Sequence, residues 1–239
     1  MNLTLKPVFG LSGSALKVIA MISMVIDHIA LYLMEHGTLL YETMRCIGRI
    51  AFPVFAFLIA EGFIHTRSRY RYFFTLLGFA VISEIPWYLL NGADGIHNVM
   101  FTLALGVATL MVLENLLQRS LVLGFLWTLG MAGLASWLGV DYEWRGILVI
   151  VIFYLFNVYG HSFPYSRGMQ FFSTFALMIH YGVIGAVMAC MILYLYNGKR
   201  GFVQGSIAKY GFYAFYPAHF ILFIQICERS FPCILMFKL

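Results

Sequence analysis

The chain has 239 residues, 62% of them hydrophobic and only 10% charged, with a mean hydropathy of +0.87. Soluble domains carry about 25% charged residues, so this composition excludes an ordinary water-soluble globule and marks an integral membrane protein. The net charge of +5 would suit a nucleic-acid partner, but the Lys and Arg residues are dispersed over loops without a dedicated patch, so they read as topology signals and no nucleic acid is expected.

The apolar runs approach the ~20 residues that cross ~30 Å of hydrocarbon, and no strand alternation argues for a barrel. In chain order, spans are expected at about 15–34, 45–64, 72–90, 98–118, 121–138, 145–159, 168–180, 182–196 and 210–227. Turn-forming breaks such as His36-Gly37-Thr38 and Asn91-Gly92-Ala93-Asp94-Gly95 separate them. The seventh span is short and abuts the eighth, so a hairpin, a re-entrant pair and one broken helix all stay open. The expected fold is an all-α polytopic membrane protein of about nine (8–10) transmembrane helices, a single domain over 1–239. The first run is long and lacks a small-residue cleavage site, so it is expected to be a span rather than a cleaved signal. Cys46, Cys190, Cys227 and Cys233 are scattered, and thiols are expected rather than a Cys227–Cys233 disulfide.

With the amino terminus in the cytoplasm, ten Lys and Arg residues fall on the inner side and five on the outer, the T-R-S-R-Y-R turn at 66–71 weighing most. The positive-inside rule then predicts N-in and C-out. That orientation puts Asp27 and His28 in the outer half of helix 1, Arg45 and Arg49 in the outer part of helix 2, and Glu84 near the outer end of helix 3. Asn98 and Thr102 open helix 4 from the same side, Asp141, Tyr142 and Arg145 lie in an outer loop, and Tyr216 and His219 lie in helix 9. Polar groups scattered against lipid would be intolerable, so a polar cavity opening among helices 1, 2, 3, 4 and 9 is expected.

Asp27 and His28 are adjacent and point about 100° apart on a helix, so Asp27 should pair with a cation on another helix. Arg45 and Arg49, four residues apart on one face, are the candidates; His28 is left to move a proton or to join a structural network. Glu84, in S-E-I-P, suits a base, an amine ligand or a partner for Arg49. Glu61 is expected to pair with the nearby Arg67 or Arg69. Pro217 predicts a kink near Tyr213, with His219 either bonded to a freed carbonyl or sharing a functional face with Tyr216. No H-E-x-x-H, H-x-x-E-H or paired-Cys motif is present, so no metal is expected.

The strings L-K-x-I-A-M-x-x-M-x-I-D-H, G-R-I-A-F-P-x-F-A-F-x-x-A-E-G-F-x-x-T-R, S-E-I-P, N-V-M-F-T-L-A-L-G, D-Y-E-W-R-G and F-Y-x-F-Y-P-A-H resemble the TraX family from about Leu16 to Leu222. The resemblance implies a multi-pass protein of the bacterial inner membrane, similar to the enzyme that N-acetylates F-type conjugative pilin, and related to transmembrane acyltransferases that use acetyl-CoA. It implies a catalytic centre at His28 with Arg45 or Arg49, supported by Asp27 and Glu84. Acetyl-CoA is the implied co-substrate, its phosphates attracted by Arg67, Arg69, Arg71, Lys199 and Arg200. The acceptor, a pilin or other peptide amine or a glycan hydroxyl, would meet Asn98, Thr102, Asp141, Tyr142, Tyr216 and His219, with membrane lipid around the whole. The family's outer motif often reads D-Y-G-x-x-G, whereas here Glu143 follows Asp141-Tyr142, which leaves the acceptor open. A proton-coupled transporter or exporter and a non-catalytic pilus assembly factor are the alternatives.

Overall fold

Ser12 ends an extended segment and turns its hydroxyl onto the Ala15 N–H at 3.2 Å, capping the first turn of α1 (Gly13–Leu33). The computed structural model describes residues 10–160, 164–203 and 205–230; Lys6, Lys238 and Cys233, hence the Cys227–Cys233 alternative, lie outside them. The described elements are helices, and strand-like pairing among them is confined to the isolated bridges Leu11–Tyr196 and His97–Val140.

The second apolar run is the first departure from the expected spans. It bends into α2 (Leu39–Gly48) and α3 (Ala51–His65). Pro53 explains the break: it has no N–H to give the Arg49 carbonyl four residues back, and Ile50 instead bonds Ile47 in a tighter turn. Helices α4 (Arg69–Asn91) and α5 (Val99–Arg119) follow, then α6 (Leu121–Trp137), α7 (Glu143–Tyr159), α8 (Ser166–Met178), α9 (Val183–Tyr194) and α10 (Gly205–Ser230). Helix α10 continues through Pro217 rather than ending there.

Among the described residues, five segments are long and apolar enough to cross a membrane: Gly13–Leu33, Leu39–His65, Arg69–Asn91, Val99–Arg119 and Ile207–Arg229. At 13 and 12 residues, α8 and α9 rise only about 20 Å each, short of ~30 Å of hydrocarbon. A 3-10 turn at Ile179–Tyr181 and Gly182, at φ 139°, join them. Phe171 of α8 meets both Cys190 and Tyr194 of α9, so the pair is a hairpin.

The bundle closes where side chains are small, since apolar lipid offers little drive to hold helices together and close backbone approach supplies it instead. Gly106 of α5 faces Ile150 of α7, and a Cβ at Gly146 would press on Thr102, Phe52 and Tyr142. Around these contacts Phe63, Val107, Leu110, Val149, Ile150 and Phe153 are fully buried. Two loop pairings finish the frame. The 195–203 segment lies over the start of α1, where the Lys199 and Arg200 carbonyls accept from the Gly13 and Ser14 N–H groups at 2.8 and 2.9 Å. The 92–98 loop is stitched to 139–141 by His97 N–H to Gly139 O at 2.8 Å and Asp141 N–H to His97 O at 2.9 Å.

Candidate functional site

Three polar groupings occupy the half of the bundle beyond the α2–α3 bend, and each has a separate partner set. In the first, Arg45 Nη1 donates to Asp27 Oδ2 at 2.5 Å, with 18% and 16% of the two side chains exposed. Asp27 fits there because Gly48 has no side chain; a Cβ at that position would overlap the Asp27 carboxyl. Arg49, one turn from Arg45, turns instead to a hydrogen bond with the Tyr142 side chain. The Tyr142 ring stacks on Phe52, with centroids 3.7 Å apart and planes 9° from parallel. Thr102 holds the same loop by donating to the Asp141 carbonyl. Asp141 lies in this loop outside the helices, and burial pushes its carboxyl up to about 6. Asp27, Arg45, Arg49, Thr102, Asp141 and Tyr142 are therefore brought into one network.

Glu84 belongs to a second grouping. The sequence offered Arg49 as its structural partner; the structure gives it His97 Nδ1 at 2.5 Å and the Asn98 side-chain amide at 2.6 Å. Asn98, fully buried, also donates to the Ala80 carbonyl at 2.9 Å, and its side-chain oxygen caps α5 through the Met100 N–H. Glu84 and Asn98 thus draw the loop before α5 into the bundle, which a span assignment could not reveal.

The third grouping is a histidine pair. His28 Nδ1 and His219 Nε2 are 2.9 Å apart, and His219 Nδ1 is 3.1 Å from the Phe215 carbonyl. Phe215 lies four residues before His219, so this is a bond along α10 and not one to the Tyr213 carbonyl that Pro217 leaves free. Both rings are buried, against Phe220 at 4.9 and 4.2 Å between centroids.

On the opposite half lies a cavity of about 700 Å³, bounded by α1, α3, α4, α5 and α10. These are the helices among which a polar cavity was expected, but the lining is mostly apolar and the polar networks just described do not form its wall. Its mouth gathers Lys17, Arg67, Arg200 and Lys209; its lining reaches Met24, Met100 and Tyr216 deeper in the bundle, the last hydrogen-bonded to the Val99 backbone. Among the described residues, none of the four cations is in an ion pair with a carboxylate.

Of the basic residues expected to meet phosphates, only Arg67 and Arg200 line this cavity. Arg69 is engaged by Glu114 and lies over the Phe63 ring, and Arg71 and Lys199 are not in the lining. Glu61 does not pair with Arg67 or Arg69. It faces the cavity and accepts from Asn157 at 2.9 Å and Tyr196 at 3.3 Å, with Gln170 behind Asn157 at 3.0 Å. Lys17 and Lys209 had been counted only as topology signals. The spacing of Gly13, Lys17, Met21 and Met24 along one face was the available clue that Lys17 points inward.

The sequence model described as TraX protein matches residues 12–227. A probable fimbrial assembly protein FimC, serogroup H1, of Dichelobacter nodosus is 32% identical over 88% of this chain and 93% of its own length. An uncharacterised protein of Rickettsia prowazekii (strain Madrid E) is 31% identical over 69% of this chain and 62% of its own. No solved structure matches.

Proposed function

This chain belongs to the TraX family, and we propose that it is an acetyltransferase of the bacterial inner membrane, N-in and C-out, that moves an acetyl group from acetyl-CoA to an amine or hydroxyl. The observation that carries this reading is the cavity: four cations at the mouth, none ion-paired with a carboxylate among the described residues, and mostly apolar walls that reach Met24, one turn before His28. Phosphates attract Lys and Arg that are not already neutralised. Lys17, Arg67, Arg200 and Lys209 hold the nucleotide end of CoA, and the pantetheine arm runs between Phe55, Leu58, Leu76 and Phe212.

In the transfer step the acceptor nitrogen or oxygen attacks the thioester carbonyl carbon. His28 takes the acceptor's proton, the carbon–sulfur bond breaks, and the proton passes to the departing thiolate. Arg45 spends one N–H on Asp27 and has others for the oxyanion, a contribution of roughly 3 kcal/mol for one well-placed donor. The acceptor approaches from the side of Asp141 and Tyr142, and a pilin or other peptide amino terminus is the first candidate.

Purified protein with and without His28→Ala tests this. Wild type should show an acetyl-CoA-dependent rise in thermal midpoint and acetylate a peptide amine, and folded His28→Ala should keep the first and lose the second. Full activity in His28→Ala removes His28 from the reaction. The name of the Dichelobacter nodosus relative favours a second reading, a non-catalytic fimbrial assembly factor, for which wild type shows no acetyl-CoA response.

A further inference from the structure

His28 and His219 are 191 residues apart in sequence, yet their rings lie 8° from parallel with centroids 5.0 Å apart. With a 2.9 Å nitrogen–nitrogen distance, that is an end-on hydrogen bond in the plane of both rings, not a face-to-face stack. The protons on such a pair follow from the one partner that has no choice. The Phe215 carbonyl can only accept, so His219 Nδ1 carries a hydrogen. Neutral His219 then has its lone pair on Nε2, and the hydrogen of the 2.9 Å bond must sit on His28 Nδ1. His28 Nε2 is left bare.

The surroundings suit this assignment. Phe220, Phe223 and Tyr32 ring His28, with centroids 4.9, 6.2 and 5.7 Å away. Aromatic walls offer no carboxylate to fix the imidazole, the role that an aspartate plays in a hydrolase triad; Asp27 is occupied by Arg45. His28 also stands one turn beyond Met24, and His219 one turn beyond Phe215 and Tyr216, all three at the cavity.

We propose that His219 is a positioning residue for His28: it holds the Nδ1–H tautomer, leaves Nε2 as the nitrogen able to take a proton, and shares the positive charge when it does. The step is a proton transfer only. Nε2 gains the acceptor's proton, the Nδ1–H···Nε2 bond becomes charge-assisted, and the Phe215 carbonyl supports the far end of the chain of bonds. This rests on the acetyl-transfer reading for its purpose but not for its geometry.

The test uses the full chain in lipid nanodiscs with isotope-labelled histidine, the His28 signals assigned by their loss in His28→Gln. Nitrogen NMR should find His28 protonated on Nδ1 and bare on Nε2 in wild type and in His219→Gln, whose amide oxygen still accepts. In His219→Leu the hydrogen should move to Nε2. Acetyl transfer should fall about tenfold to a hundredfold in kcat in His219→Leu with KM for acetyl-CoA unchanged, and return most of the way in His219→Gln. A wild-type His28 bare on Nδ1 overturns the proposal, as does a folded His219→Leu with wild-type spectrum and kcat. If His219→Leu does not fold, the wild-type and His219→Gln spectra decide. A wild type that transfers no acetyl group defeats the proposed reaction alone, since the spectra still report the pair.

Discussion

The two halves of this bundle handle charge in opposite ways. Beyond the α2–α3 bend, charged side chains find polar or charged partners: Asp27 with Arg45, Arg49 with Tyr142, Glu84 with His97 and Asn98. At the cavity mouth, Lys17, Arg67, Arg200 and Lys209 converge, and among the described residues no carboxylate is ion-paired with any of them. A paired charge in an apolar setting chiefly fixes the position of its partners, whereas converging unpaired cations repel one another and are relieved by an anion. Arg67 and Arg69 show the difference two residues apart, one at the mouth and one spent on Glu114.

Removing one member from each half should separate these roles. Arg45→Ala leaves the Asp27 carboxylate half-buried without its cation and should destabilise the protein by about 3 kcal/mol, read as a lowered thermal midpoint without acetyl-CoA; Asp27→Asn added to it should recover part of the loss. At the mouth, Arg67→Gln with Arg200→Gln should leave that midpoint in place and weaken the acetyl-CoA-induced rise, with affinity down about tenfold and a shallower salt dependence. Arg71→Gln should do neither. If the mouth variants instead lower the ligand-free midpoint as Arg45→Ala does, the contrast between the halves fails. The smallest expected effect lies at the turn into α7. Tyr142 and Glu143 have φ of 63° and 45°, a left-handed conformation unfavourable for any side chain, and Glu143→Gly should raise the midpoint by about 1 kcal/mol of relief.

The sequence made the helices legible because a lipid solvent demands long apolar runs whatever they pack against. The Asp27–Arg45 pair was legible as well, since Arg45 and Arg49 stand on one face and a lone intramembrane carboxylate needs a cation. The bend at Arg49–Ile50 was written in Pro53, but a proline in the first turn of α3 reads equally as the interior of one span. The structural partners of Glu84 were not legible, because they come from a loop that turns into the bundle, and hydropathy assigns loops to water. The His28–His219 bond spans 191 positions, and no local pattern encodes such a separation. Lys17 and Lys209 were visible as charges; the face shared by Gly13, Lys17, Met21 and Met24 hinted at the direction of Lys17, and packing alone told that of Lys209.

The deeper lining of the cavity includes Met24, Met100 and Tyr216, and this part of the lining bears on the cell's energy supply. In a membrane that holds an ion gradient, a wide aqueous passage from the basic mouth to the Asp141 loop would discharge it. With a plug of two flexible thioethers and a tethered phenol, the thin end of a bound arm can displace side chains that close behind it. On the proposed reading, the same residues would seal the bundle as well as admit the co-substrate. Substitutions that shrink Met24 or Met100 would be felt first as ion leakage, before any change in the chemistry.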